Sequence, residues 1–154
     1  MLWRYLDPSE GKIYIDGQDI CKLELKDLRR SLNIITQDVK VFNSSLERNI
    51  DLLGDRLRTK EDLDRIRRIL GKLGFENSEY KKKGFEMIVE DEGANLSQGE
   101  KQIVCFTRSL TKLGKLVIFD EATANIDIDT EEKFQKIVEE EYKDSTMIIV
   151  AHRI

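Results

Sequence analysis

The stretch "LSQGE" combines residue types that bind phosphate groups at the start of a helix. Ser97 and Glu100 have the spacing of a capping box, in front of an apolar pattern with helical periodicity. Gly99 falls in the first turn, where glycine costs roughly 1 kcal/mol relative to alanine, and this indicates that a ligand approaches the backbone. Free N–H groups and a hydroxyl at a helix N-terminus favour an anion. The stretch is therefore interpreted as a helix cap or as a phosphate site, and the two do not exclude each other.

Two acids follow the apolar run "LVIF", which is typical of a strand buried in a parallel sheet. Such sheets bind their ligands at the carboxyl ends of the strands, where Asp120 and Glu121 are then expected. Asp120 is suited to hold Mg²⁺, directly or through a water molecule. Glu121 is suited to orient or deprotonate an attacking water. The alternative is a helix cap followed by a solvated glutamate.

Two further polar residues come at the ends of apolar strand patterns. His152 is the single histidine and follows the pattern at 147–151, and Gln37 ends the pattern at 33–37. We expect both at the carboxyl edge of the sheet, close to Asp120. Gln37 is suited to ligate Mg²⁺ or to orient water. A purely structural role is the alternative for each of the two residues.

Hydrophobic patterning predicts an α/β chain around these residues. Residues 11–20 alternate between apolar and polar, with Gly11 and Gly17 as turn points, which indicates strand and turn. Strand, helix and strand patterns at the C-terminal end predict a βαβ unit. The other predicted elements are a helix at 24–32, a strand at 33–37, a charged helical region at 38–83, a helix at 98–112, buried strands at 115–119 and 145–152, and a helix at 130–142.

Local signals refine three of these elements. Thr59 and Asp62 resemble a capping box, and Asp129 is expected as the N-cap of the helix at 130–142. The run at 81–83, three lysines, is expected to be a solvated surface turn. One apolar helix face is predicted behind Thr59, with the residues Leu63, Ile66, Leu70 and Leu73.

Length and composition exclude several classes of protein. The 154 residues suffice for one domain with a core, and the net charge of −4 argues against a nucleic-acid partner. Cys21 and Cys105 are far apart and have no metal-site spacing, so they are expected to be ordinary thiols. The sequence has no signal peptide and no apolar run near the ~20 residues that span a membrane. Any membrane link must therefore come from residues outside this sequence.

The order of the motifs resembles the nucleotide-binding domain of ABC transporters over nearly the whole chain. The motifs are Gln37, "LSQGE" at 96–100, "LVIFDE" at 116–121, "ANID" at 124–127 and "AHR" at 151–153. The stretches "SEGKIYIDGQDI", "LRRSLNIITQD", "VFNSSLERNID" and "DEATANIDIDTEE" are similar to the multidrug-resistance-associated branch. The resemblance implies a partial P-loop NTPase-like ABC ATPase domain, α/β in class, with a parallel-sheet core. A helical subdomain at about 38–113 is implied between core parts at about 1–37 and 114–154.

The same resemblance implies a role for each motif. Gln37 matches the Q-loop glutamine, which contacts Mg²⁺ and the attacking water, and Asp120 matches the Walker B aspartate. Glu121 matches the general base and His152 the switch histidine, which contacts the γ-phosphate of ATP. Asp127 matches the D-loop aspartate, which links the two sites of a dimer. The signature motif is matched by Leu96, Ser97, Gln98, Gly99 and Glu100, of which Ser97 and Gly99 would touch an ATP held by the opposite domain.

ATP and Mg²⁺ are the implied cofactors. The implied partners are a second nucleotide-binding domain and the transmembrane domains of a transporter, which the helical subdomain would meet. The implied location is the cytoplasmic face of a membrane. Gln98 and Glu100 depart from the usual glycine and glutamine of the signature, and Asp38–Val39 follow Gln37 where the family often has proline at the second position.

The pattern G-x-x-x-x-G-K-[S/T] does not occur in the sequence, so no phosphate loop grips the β- and γ-phosphates. By the resemblance, Met1 would start just downstream of that loop, and the chain would stop short of the family's last elements. Three interpretations remain: the ATPase domain of a transporter, a non-hydrolytic chain that donates its signature to a partner's ATP, and a non-functional remnant. A soluble ATPase of the chromosome or DNA-repair type ranks last, because the interval from Gln37 to Ser97 is too short for a coiled coil.

Overall fold

The computed structural model describes residues 1–36, 39–54, 57, 59–111, 114–120 and 128–150, without the side chains of residues 36, 120 and 128. Short 3-10 helices occur at Ile20–Lys22, Gly84–Glu86 and Asp91–Gly93. The strands are β1 (Tyr14–Ile15), β2 (Gln18–Asp19), β3 (Leu32–Thr36), β4 (Ser44–Ser45), β5 (Ile88–Val89), β6 (Leu116–Asp120) and β7 (Thr146–Val150). The α-helices are α1 (Leu25–Ser31), α2 (Leu46–Ile50), α3 (Lys60–Lys72), α4 (Ser78–Lys83), α5 (Gln98–Thr111) and α6 (Ile128–Glu141).

In the described part of the chain, a parallel sheet is formed by β3, β6 and β7, with β6 in the middle. Val117 and Phe119 of β6 are buried in the main core, as expected for a central strand of a parallel sheet whose face is covered by helices. The chain passes from β6 through α6 to β7, and these strands are parallel. The predicted α/β class and the predicted βαβ unit are therefore confirmed.

The first residues form an antiparallel hairpin of β1 and β2. Asp16 and Gly17 at its tip have φ of 49° and 75°, which is the left-handed backbone that a two-residue hairpin turn requires. The Asp-Gly pair is the sequence signal for this turn, so the predicted strand and turn are confirmed. A small apolar cluster attaches the hairpin to α1 and to the sheet through Ile20, Leu28, Leu32 and Leu116.

A larger core joins the helices to the other face of the sheet. Phe134 of α6 stacks on Phe106 of α5 at 4.0 Å between ring centroids and meets the edge of Phe119 of β6. The predicted capping box of α3 is confirmed, because Thr59 and Asp62 exchange side-chain to backbone hydrogen bonds. The predicted apolar face of α3 is also confirmed, because Ile66, Leu70 and Leu73 are buried and Leu63 packs against them.

Three predictions of elements are wrong in part. The region 38–83 is not helical throughout, since β4 pairs antiparallel with β5 from beyond that region. The lysines at 81–83 end α4 instead of forming a turn, where their charges favour the negative end of the helix dipole. Asp129 lies within the first turn of α6, which begins at Ile128, and so it is not the N-cap.

The predicted burial of the last strand is also wrong, because all five residues of β7 are exposed. Ile149 is 66% exposed and Val150 is 46% exposed. β7 is an edge strand of the sheet in the described part of the chain, and its outer side meets no described strand. A continuous apolar run therefore identifies a strand of a parallel sheet, but burial of its side chains needs elements packed on both faces of the sheet. Among the described helices, none has the length and apolar character to cross a membrane.

Candidate functional site

The start of α5 is reached through a turn that asparagine side chains fix. Asn95 donates from Nδ2 to the carbonyl oxygen of Ile88 at 2.8 Å, and its Oδ1 accepts from the amide of Glu90 at 2.9 Å. Asn77 donates to the carbonyl oxygen of Asn95 at 3.2 Å. These bonds attach the turn to β5 and to the cap of α4. The sequence analysis missed both asparagines, although asparagine before a helix is a turn signal.

The capping box predicted for α5 is confirmed. The amide of Ser97 donates to Oε2 of Glu100 at 2.8 Å, and the amide of Glu100 donates to Oγ of Ser97 at 3.2 Å. Leu96 is 6% exposed and anchors the turn in the main core. Ser97 therefore has a fixed position at the exposed N-terminus of a helix of 14 residues.

Several donors at this helix start have no partner among the described residues. The amides of Gln98 and Gly99 precede the first intrahelical bond, in which Lys101 donates to the carbonyl oxygen of Ser97 at 3.0 Å. The hydroxyl oxygen of Ser97 accepts a bond, and its proton has no described acceptor. Two amides and a hydroxyl at the positive end of a helix form a donor set that suits an anion.

No internal packing explains the glycine in this turn. A Cβ at Gly99 would meet no heavy atom within 4 Å, and the residue is exposed. Alanine would fit inside the protein and would favour the helix. The space that alanine would occupy is therefore open to a group from outside the chain, as the sequence predicted for a close approach.

The second part of the candidate site is the carboxyl edge of the parallel sheet. The strand register places Thr36 beside Asp120, and Asp120 beside Val150. Gln37 and Glu121 are the next residues in the chain after the first two, and His152 follows Val150 by two positions. The side chain of Asp120, and Gln37, Glu121, Asp127 and His152 entirely, lie outside the described residues. Their assigned roles stay predictions.

The described residues do not join the two parts of the site directly. No hydrogen bond or ion pair in the described part of the chain links the turn at 96–100 to the sheet edge. The two parts are connected through α5, which leads from the turn back to the sheet. The helix is about 21 Å long at 1.5 Å per residue over its 14 residues.

A buried polar cluster holds the far end of α5 against the sheet. Asn33 of β3 donates from Nδ2 to the carbonyl oxygen of Ser109 at 2.8 Å and contacts the hydroxyl of Tyr142 at 2.6 Å. Tyr142 donates to the same carbonyl oxygen at 3.0 Å. Burial raises the pKa of Tyr142 to about 12, although Asn33 and Ser109 oppose the shift. Sequence reasoning missed this cluster, because its members are far apart in the chain.

An ion pair attaches α3 to α6 beside this cluster. Arg65 pairs with Glu141 and also donates to the carbonyl oxygen of Leu110 at 3.1 Å. A second pair joins Lys72 to Glu140 at 2.6 Å. The contacts of α3 with α6 are therefore partly ionic at the surface, while the contacts of α5 with the sheet are buried.

The fold and the start of α5 agree with the comparison with known families. A sequence profile of the family described as ABC transporter matches residues 1–124. The chain belongs to the ABC transporter family.

Comparison with individual proteins shows which members of the family the chain is similar to. It is 34% identical to Bile pigment transporter 1 of Saccharomyces cerevisiae, over 99% of this chain and 11% of that protein. It is 35% identical to ATP-binding cassette sub-family C member 3 of Rattus norvegicus, over 99% of this chain and 10% of that protein. The chain thus spans about a tenth of the length of these relatives. The predicted similarity to the multidrug-resistance-associated branch is confirmed.

A solved structure supports the fold. The structure described as a bacterial Atm1-family ABC exporter with ATP bound matches with a TM-score of 0.80 at 33% identity. The match covers 99% of this chain and 26% of that chain. The predicted partial ABC ATPase fold is confirmed by this likeness together with the parallel sheet.

Proposed function

We propose that the chain is part of an ATP-binding domain that couples ATP hydrolysis to the transport of a substrate across a membrane. The observation that carries the proposal is the start of α5, where Ser97 and Gly99 are exposed and a capping box fixes the turn. ATP is the substrate, and a second nucleotide-binding domain and transmembrane domains are the partners. The substrate that is transported is set by those transmembrane domains.

The turn at 96–100 binds the γ-phosphate of an ATP that the second domain holds. The hydroxyl of Ser97 and the amides of Gln98 and Gly99 donate to phosphate oxygens. Two features support this: these donors have no described partner, and the missing side chain at Gly99 leaves space for the phosphate. Leu96 and the bonds of Asn95 hold the turn in place when the anion leaves.

The carboxyl edge of the sheet would hold Mg²⁺ and the attacking water, which form the second part of the proposed mechanism. Mg²⁺ would supply charge neutralisation at the phosphates, with Asp120 and Gln37 as its protein ligands. Glu121 accepts a proton from the attacking water, and His152 contacts the γ-phosphate. Asp127 connects this edge to the second domain. The parallel register that aligns Thr36, Asp120 and Val150 supports the grouping of these residues.

The proposed role of the turn at 96–100 is tested by asking whether the chain can complete the ATP site of a partner domain. We would mix the chain with a purified nucleotide-binding domain whose own signature serine is replaced by alanine, and measure phosphate release. The chain is expected to restore hydrolysis, and Gly99→Asp is expected to abolish the effect, because a carboxylate would then occupy the phosphate space. Thermal unfolding of Gly99→Asp provides the control, since a folded but inactive variant supports the assignment. Restoration by Gly99→Asp to the same extent would reject it.

The alternative function is donation without hydrolysis by the chain itself. It is favoured by a complete signature turn in a sequence without the pattern G-x-x-x-x-G-K-[S/T]. Glu121→Gln separates the two functions in the same assay. If the chain contributes a hydrolysing site, this variant binds ATP and loses turnover. If the chain only donates its signature, the variant restores the partner's hydrolysis as well as the unchanged chain does.

A further inference from the structure

The carbonyl groups at the C-terminal end of α5 are bonded by side chains from three other parts of the chain. The last four carbonyl groups of a helix have no partner within that helix, and in α5 these include the carbonyls of Ser109 and Leu110. The carbonyl oxygen of Ser109 accepts from Nδ2 of Asn33, in β3, at 2.8 Å and from the hydroxyl of Tyr142, just after α6, at 3.0 Å. The carbonyl oxygen of Leu110 accepts from Arg65 of α3 at 3.1 Å. The end of α5 is therefore bonded to the sheet, to the segment before β7 and to α3.

The bonds of Asn33, Ser109 and Tyr142 form a closed set of donors and acceptors. The two protons of the Asn33 amide are donated to the carbonyl oxygen of Ser109 at 2.8 Å and to the hydroxyl oxygen of Tyr142 at 2.6 Å. The phenol proton is donated to the same carbonyl oxygen. Burial raises the pKa of Tyr142 to about 12, so the phenol keeps this proton at neutral pH. Each bond of the set restricts the geometry of the other two.

Polar groups at this place are notable because the main core around them is made of apolar side chains. Asn33 and Ser109 are buried, and Tyr142 is 0% exposed. A buried polar side chain is unfavourable until it is hydrogen-bonded, so the net stability gained from such bonds is small. Directional bonds add a single arrangement, whereas apolar packing alone loses uniqueness before it loses stability. The cluster therefore fixes the place of α5 more than it stabilises the fold.

The cluster lies between the two parts of the proposed site. On β3, Asn33 comes three positions before Thr36, which pairs with Asp120 at the carboxyl edge. This separation is about 10 Å at 3.3 Å per residue. On α5, Ser109 follows Ser97 by twelve positions, which is about 18 Å at 1.5 Å per residue. Over this length, a tilt of α5 by about 3° at the cluster would move the turn at 96–100 by about 1 Å.

We propose that Asn33 and Tyr142 are positioning residues for the turn at 96–100. They fix the tilt of α5 on the sheet, and thereby the distance from Ser97 to the sheet edge at Asp120. This role rests on the proposed function, in which the turn and the sheet edge act on two different ATP molecules of one dimer. Both contacts must be made at the same time, so their separation within one chain has to be constant. A displacement by about 1 Å can lower a rate by about 10²-fold.

A distance measurement without ATP tests whether the cluster fixes α5. Nitroxide labels would be placed on cysteines introduced at Gln98 and Lys115, in the full chain with its two native cysteines replaced by serine. Both sites are exposed, one at the start of α5 and the other just before β6. Pulsed electron spin resonance is expected to give one narrow distance. Asn33→Leu with Tyr142→Phe removes all three bonds at similar side-chain volume and is expected to broaden the distance or shift it by about 1 Å or more. The same narrow distance in this double variant would overturn the proposal.

Leu70→Ala is the matched control for a general loss of stability. It removes packing from the main core at a residue of α3 that is 0% exposed, but it leaves the bonds of the cluster in place. Thermal unfolding of both variants sets a temperature at which both are folded. The control is expected to keep the narrow distance. Equal broadening in the control would attribute the effect to stability and overturn the proposal.

Phosphate release by the partner domain with the replaced signature serine measures the functional effect. The double variant at Asn33 and Tyr142 is expected to lower the maximal restored rate about tenfold or more, because the turn is misplaced. The chain concentration for half of the effect is expected to change less than about twofold, because association is kept. The same maximal rate as with the unchanged chain would overturn the positioning role. Failure of the unchanged chain to restore hydrolysis would instead reject the proposed function, while the measured distances still decide whether the two residues fix α5.

Discussion

Glu100 is one of the two residues, with Gln98, at which the turn at 96–100 departs from the usual family pattern. Its carboxylate accepts from the amide of Ser97 at 2.8 Å, so a negative charge lies beside the donors proposed for phosphate. The charge is favourable to the empty helix start, by about 0.3–1 kcal/mol. It opposes a phosphate at the same place. We therefore expect the turn to be stable without an anion and to bind the proposed phosphate more weakly than a turn with glutamine at position 100.

Glu100→Gln is expected to strengthen the donation of the signature to a partner's ATP. Glutamine keeps the capping box, because its amide oxygen also accepts from Ser97, but it removes the repulsion. The chain concentration that half-restores the partner's hydrolysis is expected to fall several-fold, while the free energy of unfolding falls by about 0.5 kcal/mol. Glu61→Gln, in the first turn of α3, is the matched control. The same gain in both variants would indicate an effect of net charge only.

Tyr142 predicts how stability depends on alkaline pH. Its pKa rises from 10.0 to about 12 on folding, because the phenol is buried. Below pH 10 both states are protonated and the stability is complete. Between pH 10 and about pH 12 the unfolded chain loses its proton first, so stability falls by roughly 2–3 kcal/mol in all.

Tyr142→Phe tests this assignment. The variant is expected to be less stable than the unchanged chain at neutral pH, because the hydrogen bond to the carbonyl oxygen of Ser109 is lost. The difference between the two proteins is expected to shrink as pH rises from 10 to 12. Urea unfolding at several pH values measures it. A constant difference across this range would contradict the buried phenol as the cause.

At the scale of elements, the backbone just before β6 passes close to the junction of α1 and β3 at Gly114. A Cβ at Gly114 would lie 2.7 Å from the carbonyl oxygen of Ser31, at the junction of α1 and β3. The hydroxyl of Ser145 donates to the carbonyl oxygen of Gly114 at 2.8 Å, which attaches the residues before β7 to the same point. This residue therefore sets the spacing between three elements.

Two glycine substitutions are expected to have opposite effects. Gly114→Ala forces the backbone of the α1–β3 junction to shift and is expected to cost about 2 kcal/mol. Gly71→Ala lies in α3, where a Cβ meets nothing within 4 Å, and is expected to stabilise by up to about 1 kcal/mol. Thermal unfolding of both variants measures the contrast. A neutral Gly114→Ala would show that the junction is more adaptable than its contacts indicate.

The sequence analysis correctly predicted the turns and helix caps that depend on residues close together in the chain. The Asp16-Gly17 turn, the cap at Thr59 and the cap at Ser97 depend on residues within a few positions of one another. The pairing of β4 with β5 was missed because the paired residues are far apart in the chain: Ser44 pairs with Val89, 45 positions on, and Ser45 pairs with Ile88, 43 positions on. Strands of two residues also carry too little periodicity to be recognised.

The candidate site was predictable to a similar degree. The capped turn at 96–100 and the strand that ends at Asp120 follow from short motifs, and the structure has both. The bonds of Asn33, Ser109 and Tyr142 were not predictable, because they join residues as far as 109 positions apart. Asn77 and Asn95, which fix the turn before α5, were missed because the sequence does not show which backbone carbonyl groups their side chains will bond. Gln37, Glu121, Asp127 and His152 stay predictions from the motif order.

At the scale of the whole molecule, we expect the exposed strand β7 to cause self-association of the chain in solution. Met147, Ile148, Ile149 and Val150 form an apolar strip on an edge strand of the described sheet. Exposed apolar edges pair with other chains. The isolated chain is expected to self-associate as its concentration rises and to bind a hydrophobic dye.

Ile149→Lys is expected to reduce both effects, because a charge on an edge strand opposes pairing. Light scattering and dye fluorescence measure the change. Ile88→Lys, at another exposed isoleucine that is 49% accessible, is the control and is expected to change neither. Loss of association in both variants would attribute it to general surface hydrophobicity and not to β7.

The buried cluster of Asn33, Ser109 and Tyr142 has a consequence for biosynthesis. Asn33 leaves the ribosome 109 residues before Tyr142, and α2 to α5 lie in the chain between β3 and β6. The helices between them close through shorter loops and are ready to form first. Among the described strands, β3 therefore has no partner until β6 has been synthesised. During synthesis, chaperone protection is therefore expected to matter mainly for the apolar residues of β3.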